Sequence, residues 1–182
     1  MFHLLLCFAA LVPPDTATAG PVRDKMLAGL SHASFPALHR VAAGALQASD
    51  IAMLKAAGVH EVINLRADSE SPGFDEAAVV RKAGIRYANL PINGASDLTH
   101  SNVVAFDRLL AGAGDRLTLV HCASSNRVGA MIALRAAVVG GQSTEAALAE
   151  GRRWGLKSLE PAVRERLEEW SASGKLTPAT QD

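Results

Sequence analysis

A cysteine and an arginine stand at the two ends of a short loop of small and polar residues, Cys122-Ala-Ser-Ser-Asn-Arg127. The apolar run 117–121 before the cysteine is typical of a buried strand, and the apolar run 128–139 after the arginine is typical of a buried helix. A thiolate is a strong nucleophile, and a guanidinium can bind two oxygens of a tetrahedral oxyanion with its planar fork. The pair therefore indicates covalent chemistry on an oxyanion.

The loop between these two residues has the composition of an anion-binding nest. Small side chains let the backbone curl until its N–H groups converge, and the first N–H groups of a helix have no intrahelical partner. The helix dipole adds partial positive charge at the same place. We expect this nest to favour the thiolate of Cys122. The predicted anion ligands are the amides of Ala123, Ser124, Ser125, Asn126 and Arg127.

The two cysteines of the chain, Cys7 and Cys122, lie in segments of different character. Cys7 falls in an apolar run, 2–12, that has the length of a signal-peptide core and is too short to span a bilayer. Residues 17–19, Ala-Thr-Ala, offer a cleavage site after this run. The mature chain would then hold one thiol and no internal disulfide. A lone thiol is either reactive or an inert buried side chain, and the residues around Cys122 favour the reactive interpretation.

The amino terminus predicts export. We expect a cleaved signal peptide over residues 1–19, a periplasmic or secreted mature protein, and no stable membrane span after processing. No Lys or Arg precedes the apolar run, so an uncleaved apolar anchor or a misassigned start codon are the alternatives. The rest of the chain is predicted to form an N-terminal extension without a clear pattern (20–34), one domain (35–170) and a flexible polar tail (171–182).

The overall charge of the chain excludes some classes of partner. The formal net charge is zero, and the Lys and Arg residues form no cluster. Binding to nucleic acid or to an anionic membrane surface needs such a cluster, so neither partner is predicted. The histidines show none of the spacings that hold zinc on one element, and no glycine-rich nucleotide fingerprint occurs. The sequence therefore predicts no metal and no cofactor.

Short apolar runs alternate with longer helical patterns from about residue 40 onward. This alternation predicts an α/β fold with a central, mostly parallel sheet of four or five strands flanked by helices. The predicted strands are 41–44, as an edge strand, 61–65, 85–91 and 117–121. The predicted helices are 50–57, 74–83, 99–111, 128–139, 144–154 and 161–170.

His121-Cys122, a short loop and Arg127 together resemble the signature of the cysteine-dependent tyrosine and dual-specificity phosphatases. Residues 54–66, 87–91 and 147–156 resemble the bacterial phosphatase-like domain found also in beta-lactamase-hydrolase-like proteins, and the resemblance spans about residues 40–168. It implies a dual-specificity-phosphatase-like fold. It also implies metal-independent hydrolysis of a phosphomonoester, in a phosphorylated protein or a small phosphoester, through a phosphocysteine intermediate.

The resemblance also implies a role for each site residue. Cys122 is the nucleophile, while Arg127 and the loop amides stabilise charge on the phosphoryl oxygens. His121 orients and tunes the thiolate, or is simply a satisfied histidine at a strand end. The best candidate for the general acid is Asp97, which could instead cap the following helix, as could Thr99.

Three further residues are candidates for the site. Asp68 and Glu70 are the other acid candidates, for which a solvated loop position is the alternative. Arg66 helps to shape the site or lies on the surface. These three residues follow the predicted strand 61–65 directly.

Three features depart from the pattern of the larger phosphatase families. The spacing between Cys122 and Arg127 is one residue shorter, Ser125 replaces a loop glycine, and Val128 replaces the Ser or Thr that follows the arginine. The shorter spacing also matches rhodanese-type sulfurtransferases, which carry a persulfide on the same cysteine. A phospho-ligand-binding module that has lost turnover is the third hypothesis.

Overall fold

The computed structural model describes residues 16–70 and 73–176 of the chain. Five strands form one sheet in the order β1-β2-β5-β3-β4. The β1–β2 pair is antiparallel and the other three pairs are parallel. The predicted α/β fold with a mostly parallel sheet is therefore confirmed. The strands are β1 (Ser34–Ala37), β2 (Arg40–Ala43), β3 (Glu61–Asn64), β4 (Arg86–Asn89) and β5 (Thr118–His121).

Helices cover both faces of the sheet. Buried residues of α1, α2 and α3 belong to the hydrophobic cluster on one face, and those of α4 to α7 belong to the cluster on the other. Two short 3-10 turns, Asp68–Glu70 and Ala95–Asp97, lie in the loops that follow β3 and β4. The helices are α1 (Thr16–Leu27), α2 (Asp50–Ala56), α3 (Glu76–Lys82), α4 (His100–Ala113), α5 (Asn126–Val138), α6 (Thr144–Arg153) and α7 (Glu160–Ala172).

Alternation along β5 divides the side chains of the site between the two faces. Successive strand residues point to opposite faces. Leu119 accordingly packs in the cluster with α1 to α3, and Val120 packs in the cluster with α4 to α7. Cys122 belongs to the same cluster as Val120, whereas His121 reaches α3 on the opposite face. The strand period thus separates the cysteine from the histidine that precedes it.

The strand predicted over 41–44 is not at an edge, and that part of the prediction was wrong. It is β2, which β1 covers through an antiparallel pairing of Ser34 with Ala42. The missed strand β1 contains Pro36, which cannot donate a backbone hydrogen bond and therefore argues against a strand in a sequence. Because β1 is itself the edge strand, it accommodates a proline there.

The segment 20–34, which showed no clear pattern, contains regular structure. It includes most of α1, whose Leu27 is fully buried, and Leu30 is buried in the same cluster. Pro21 inside α1 explains why the helix was not recognised. The apolar run of the predicted signal peptide falls in residues 1–15, outside the described residues, and the predicted cleavage site lies at the start of α1.

The last helix extends beyond its predicted end. The sequence predicted a helix to residue 170, and α7 continues to Ala172 with Trp170 buried. Residues 177–182 of the predicted tail lie outside the described residues. Of the helices that the structure describes, none is both long and apolar enough to cross a membrane.

The helices α5 and α6 cross closely at Gly129 and Gly151. We expect any side chain added at this crossing to lower the stability of the fold. A Cβ atom on Gly129 would lie 2.2 Å from the backbone nitrogen of Leu156 and 2.6 Å from the carbonyl oxygen of Gly151. Since backbone atoms cannot move aside, Gly129→Ala should lower the free energy of unfolding by about 1–3 kcal/mol. Urea unfolding measures this value.

The control is Gly112→Ala, which adds the same methyl group to α4 with no atom within 4 Å of it. This variant should be unchanged or more stable by up to about 1 kcal/mol, because alanine is the better helix former. An equal effect of both substitutions would contradict the close crossing.

Candidate active site

The carboxyl end of β5 places Cys122 at the middle of the sheet. β5 lies between β2 and β3, so the cysteine follows the central strand of five. Its backbone N–H donates to the carbonyl of Ala43 at 3.3 Å, which extends the pairing with β2 by one residue. Cys122 is 1% exposed and its thiol is free. Burial shields the sulfur from bulk water and thereby strengthens its interaction with nearby charges.

The loop that follows the cysteine is held by contacts on several sides. Ser125 adopts a left-handed backbone with φ of 63°, and its hydroxyl donates to the carbonyl of His32 at 3.0 Å. A Cβ atom on Gly155 would lie 2.6 Å from the Cβ of Ser125, so only glycine fits there. The backbone N–H of Ala45 donates to the carbonyl of Ala123 at 3.1 Å. These contacts offset the cost of a left-handed serine in place of glycine.

Asn126 begins α5, and its side chain turns away from the loop. Its amide oxygen accepts hydrogen bonds from the backbone N–H groups of Lys157 at 2.8 Å and Leu159 at 3.3 Å. Its amide nitrogen donates to the hydroxyl of Ser158 at 2.7 Å. The side chain of Asn126 therefore binds the connection between α6 and α7, and only the backbone N–H of Asn126 can contribute to the predicted nest.

Arg127 uses one side of its guanidinium for protein contacts. Its Nη1 and Nη2 atoms donate to the two carboxylate oxygens of Glu70 at 2.5 and 2.6 Å. Nη1 also donates to the carbonyl of Ile92 at 2.9 Å. A guanidinium has five N–H donors, so Nε–H and one N–H of Nη2 are not used in the contacts with Glu70 and Ile92. These two point along one edge and form a second fork that can take two oxygens of an anion.

The charges around Arg127 are mutually stabilised. The hydrogen bond from Arg127 is the main reason that the pKa of Glu70 is lowered from 4.5 to about 2. The same bond raises the pKa of Arg127, and the nearby Cys122 raises it further. A carboxyl group with so low a pKa holds no proton at neutral pH. Because both of its carboxylate oxygens accept hydrogen bonds from Arg127, Glu70 is suited to positioning that arginine and not to donating a proton to a leaving group.

His121 is fully buried and contacts a carboxylate that sequence reasoning missed. Its Nε2 atom lies 2.8 Å from Oε1 of Glu76, in the first turn of α3. In a weakly polar interior such a contact fixes the orientation of the imidazole ring. Glu76 lies 45 positions upstream of His121, so neither spacing nor periodicity indicates the pair.

The loop after β4 carries Asp97 and also reaches Arg127 through the carbonyl of Ile92. One carboxylate oxygen of Asp97 accepts hydrogen bonds from the backbone N–H of Asn93 at 2.8 Å and from its side chain at 2.7 Å. These bonds lower the pKa of Asp97. The helix cap is Thr99, whose hydroxyl accepts from the N–H of Asn102 at 3.2 Å. In this conformation, Asp97 is held as a carboxylate.

Arg66 is buried rather than on the surface, and that alternative was wrong. The residue is 8% exposed, and its Nε lies 3.9 Å from an oxygen of Glu70. The side chain of Asn89 donates to the carbonyl of Arg66 at 3.0 Å and ties it to the neighbouring strand. Asp68 is exposed, as its solvated alternative predicted. Arg66, Glu70 and Arg127 thus form one row of alternating charge that leads toward Cys122.

The Glu70–Arg127 pair should appear in the pH dependence of stability. Because the pKa of Glu70 is lowered from 4.5 to about 2, its carboxylate contributes stability above pH 4.5 that is lost as the pH falls toward 2. The expected contribution is about 1–2 kcal/mol, since Glu70 is partly exposed to solvent. Between pH 5 and pH 2, roughly the range of the shift, the unmodified protein should lose this part of its free energy of unfolding, and Glu70→Gln should abolish that loss. Urea unfolding at a series of pH values measures it.

The matched control is Glu145→Gln, which breaks a carboxylate–arginine pair with Arg164 on the exposed surface. Its stability should follow the same pH curve as that of the unmodified protein. If Glu70→Gln follows that curve too, the pair with Arg127 does not stabilise the fold.

The comparisons with known proteins identify the fold. No protein-family model and no curated protein sequence matches the chain. A proposed phosphatase (DUF442) from Shewanella putrefaciens CN-32 is 26% identical, with a TM-score of 0.64, over 82% of this chain and 97% of that one. P. aeruginosa TpbA, solved in complex with phosphotyrosine, is 22% identical, with a TM-score of 0.59, over 81% of this chain and 88% of that one.

A third solved structure has the same architecture. A proposed phosphatase from Neisseria meningitidis Z2491 is 22% identical, with a TM-score of 0.61, over 75% of this chain and 96% of that one. The shared fold and the loop from Cys122 to Arg127 lead to one conclusion. The chain belongs to the superfamily of cysteine-dependent tyrosine and dual-specificity phosphatase-like proteins.

Proposed function

We propose that the chain is a metal-independent cysteine phosphatase that hydrolyses a phosphomonoester through a phosphocysteine on Cys122. The observation that supports this most directly is the remaining fork of Arg127. Glu70 and Ile92 occupy three of its N–H groups, and the two that remain lie on one edge. A tetrahedral phosphoryl group has the charge and the oxygen spacing that such an edge binds.

The proposed reaction has two steps. The Cys122 thiolate attacks phosphorus, an S–P bond forms, and the P–O bond to the leaving group breaks while an acid protonates the leaving oxygen. Water then attacks the phosphocysteine, the S–P bond breaks, and inorganic phosphate leaves with the thiolate restored. The Arg127 edge and the loop amides stabilise the charge that develops on the non-bridging oxygens in both steps.

Asp97 remains the proposed acid. Its loop lies against Arg127 through Ile92, which supports a position near the leaving group. The hydrogen bonds from Asn93 lower the pKa of Asp97, so the carboxyl must leave Asn93 to hold a proton. Binding of a dianionic substrate would raise the pKa of Asp97 through charge repulsion.

The second step is expected to be slow. Val128, at the position where a hydroxyl helps the thiolate to leave in related enzymes, lies in the first turn of α5 and is fully buried in the core. A valine cannot donate a hydrogen bond to the sulfur as it leaves. We propose that phosphocysteine accumulates during turnover. The proposed place of action is the periplasm or the exterior of the cell, as the amino-terminal sequence suggests.

Turnover of para-nitrophenyl phosphate tests the proposed activity. The protein should hydrolyse it without added metal, and Cys122→Ser should abolish turnover because a hydroxyl replaces the nucleophile. Arg127→Lys should lower kcat/KM by about 10²–10³-fold, since lysine keeps the charge and loses the fork. Release of para-nitrophenol is followed by absorbance, and circular dichroism checks that both variants fold.

The same samples separate the other two hypotheses. Formation of thiocyanate from thiosulfate and cyanide, with a persulfide on Cys122 and no phosphatase turnover, would establish a sulfurtransferase. Binding of vanadate with neither activity would leave a phospho-ligand-binding module. Either result contradicts the proposed function.

Substitution of Asp97 tests the proposed acid. Asp97→Asn should lower kcat/KM, which reports the step in which the leaving oxygen departs, by about 10²–10⁴-fold for a phosphoester with a poor leaving group, such as phenethyl phosphate. The loss should be much smaller for para-nitrophenyl phosphate, because nitrophenolate leaves without a proton. Asp107→Asn, which breaks a partly buried pair with Arg135 between α4 and α5, is the control. Equal losses with both substrates would exclude Asp97 as the acid.

A further inference from the structure

A cavity of about 350 Å³ opens beside the candidate active site, at the carboxyl end of β3. The proposed reaction uses none of its walls directly. Two aromatic side chains, three carboxylates and a guanidinium line it, and one of the carboxylates, that of Asp75, also accepts a hydrogen bond from the backbone N–H of Ala78 as the cap of α3. The side chains that matter here are those of Asn64, Arg66, Asp68, Phe74, Glu76 and Tyr87.

Two buried polar atoms of this cavity lack a hydrogen-bond partner among the described residues. They are Nε of Arg66 and Oε2 of Glu76, in residues that are 8% and 6% exposed. The nearest carboxylate oxygen to Arg66 Nε, in Glu70, is too far away at 3.9 Å for a hydrogen bond. A buried donor and a buried acceptor without partners destabilise the folded protein, and a ligand that supplied both partners would remove this cost.

Tyr87 adds a second donor to the wall. Its oxygen accepts a hydrogen bond from the side-chain nitrogen of Asn64 at 2.9 Å, so its own O–H hydrogen is available to a ligand. Burial is the main cause of the raised pKa of Tyr87, and the hydroxyl therefore keeps its proton. The ring lies beneath the guanidinium of Arg81 at 5.2 Å, which fixes its plane.

The cavity adjoins the reacting groups through two contacts. Glu76 contacts His121, the residue before the cysteine, at 2.8 Å. Arg66 lies beside Glu70, which holds Arg127. The walls of the cavity therefore contact the residue that positions Arg127 and the residue that precedes Cys122.

The chemistry of the walls selects among possible occupants. A second phosphate would meet Arg66 but also the carboxylates of Asp68, Asp75 and Glu76, which repel it. An ammonium group would pair with those carboxylates but would leave the buried Arg66 donor unsatisfied beside a like charge. A hydroxyl group both donates and accepts, and so satisfies a carboxylate and a guanidinium together.

We propose that this cavity binds the hydroxyl-bearing part of a phosphomonoester substrate, a polyol or sugar ring that stacks against Phe74 and Tyr87. The inference rests on the proposed phosphatase function and names the substrate class of the same site. Glu76 Oε2 accepts from one hydroxyl, while Arg66 Nε and the Tyr87 O–H donate to others. The aromatic walls cover the apolar face of the ring.

A matched set of phosphomonoesters tests the proposal on the unmodified protein. Glucose 6-phosphate has a hydroxylated ring, cyclohexylmethyl phosphate has a ring of the same size without hydroxyls, and O-phosphoethanolamine carries an ammonium group. The kcat/KM for glucose 6-phosphate should exceed that for each of the others by at least about tenfold, as expected for sites built to bind hydroxyls. Equal values, or a preference for O-phosphoethanolamine, would overturn the proposal.

Tyr87→Phe tests one donor without altering the ring. The preference for glucose 6-phosphate over cyclohexylmethyl phosphate should fall by roughly 2–10-fold, the value of one hydrogen bond. Ser173→Ala removes one hydroxyl at the exposed end of α7 and should leave the preference unchanged. An unchanged preference in Tyr87→Phe would remove Tyr87 from the site and contradict the proposed set of donors.

Binding to the Cys122→Ser protein separates this inference from the proposed function. Calorimetry with the same three compounds measures affinity without turnover. If the unmodified protein hydrolyses neither para-nitrophenyl phosphate nor any of the three compounds, the proposed phosphatase function fails. Tighter binding of glucose 6-phosphate would then still support the cavity. If para-nitrophenyl phosphate is hydrolysed and the three compounds bind equally, the cavity inference fails and the phosphatase stands.

Discussion

The paired hydrogen bonds between Arg127 and Glu70 set the geometry on which the site depends. They join the start of α5 to the loop after β3, and they turn the free edge of the guanidinium in one direction. Without this pair, the arginine would be a long side chain with many rotamers, and ordering it on a ligand would cost conformational entropy. The protein meets that cost during folding, so the fork is already oriented when an anion arrives.

The parallel sheet brings distant residues to this pair. Because β3, β4 and β5 run in the same direction, their carboxyl ends meet at one edge of the sheet. Cys122, Glu70 and Ile92 each follow a different one of these strands. The α5–α6 crossing at Gly129 holds the helix behind the loop, while Ser125 and Gly155 hold the loop itself. The site is therefore a product of the whole sheet edge and not of the loop sequence alone.

Local patterns predicted the sheet, most helices and the loop from Cys122 to Arg127. The resemblance to the phosphatase signature indicated that a glycine would be usual at Ser125, and the backbone of Ser125 is left-handed. Local patterns did not predict which residues Arg127 and His121 contact. Glu70 lies 57 positions from Arg127 and Glu76 lies 45 positions from His121, so only the folded chain brings them together. The strand β1 and the helix α1 were not predicted, because they contain Pro36 and Pro21. Proline lacks the backbone N–H that a sheet or a helix uses, so it argues against both in a sequence.

The account depends on covalent attack by Cys122 on a phosphoryl group, held by the free fork of Arg127 and the loop amides. The most direct measurement is to mix the protein with para-nitrophenyl phosphate, quench at short times in acid, and search the peptide that contains Cys122 by mass spectrometry. The account predicts a phosphorylated cysteine that accumulates in the unmodified protein and is absent from Cys122→Ser. Turnover that proceeds with no phosphate on Cys122, or that persists in Cys122→Ser, would contradict it.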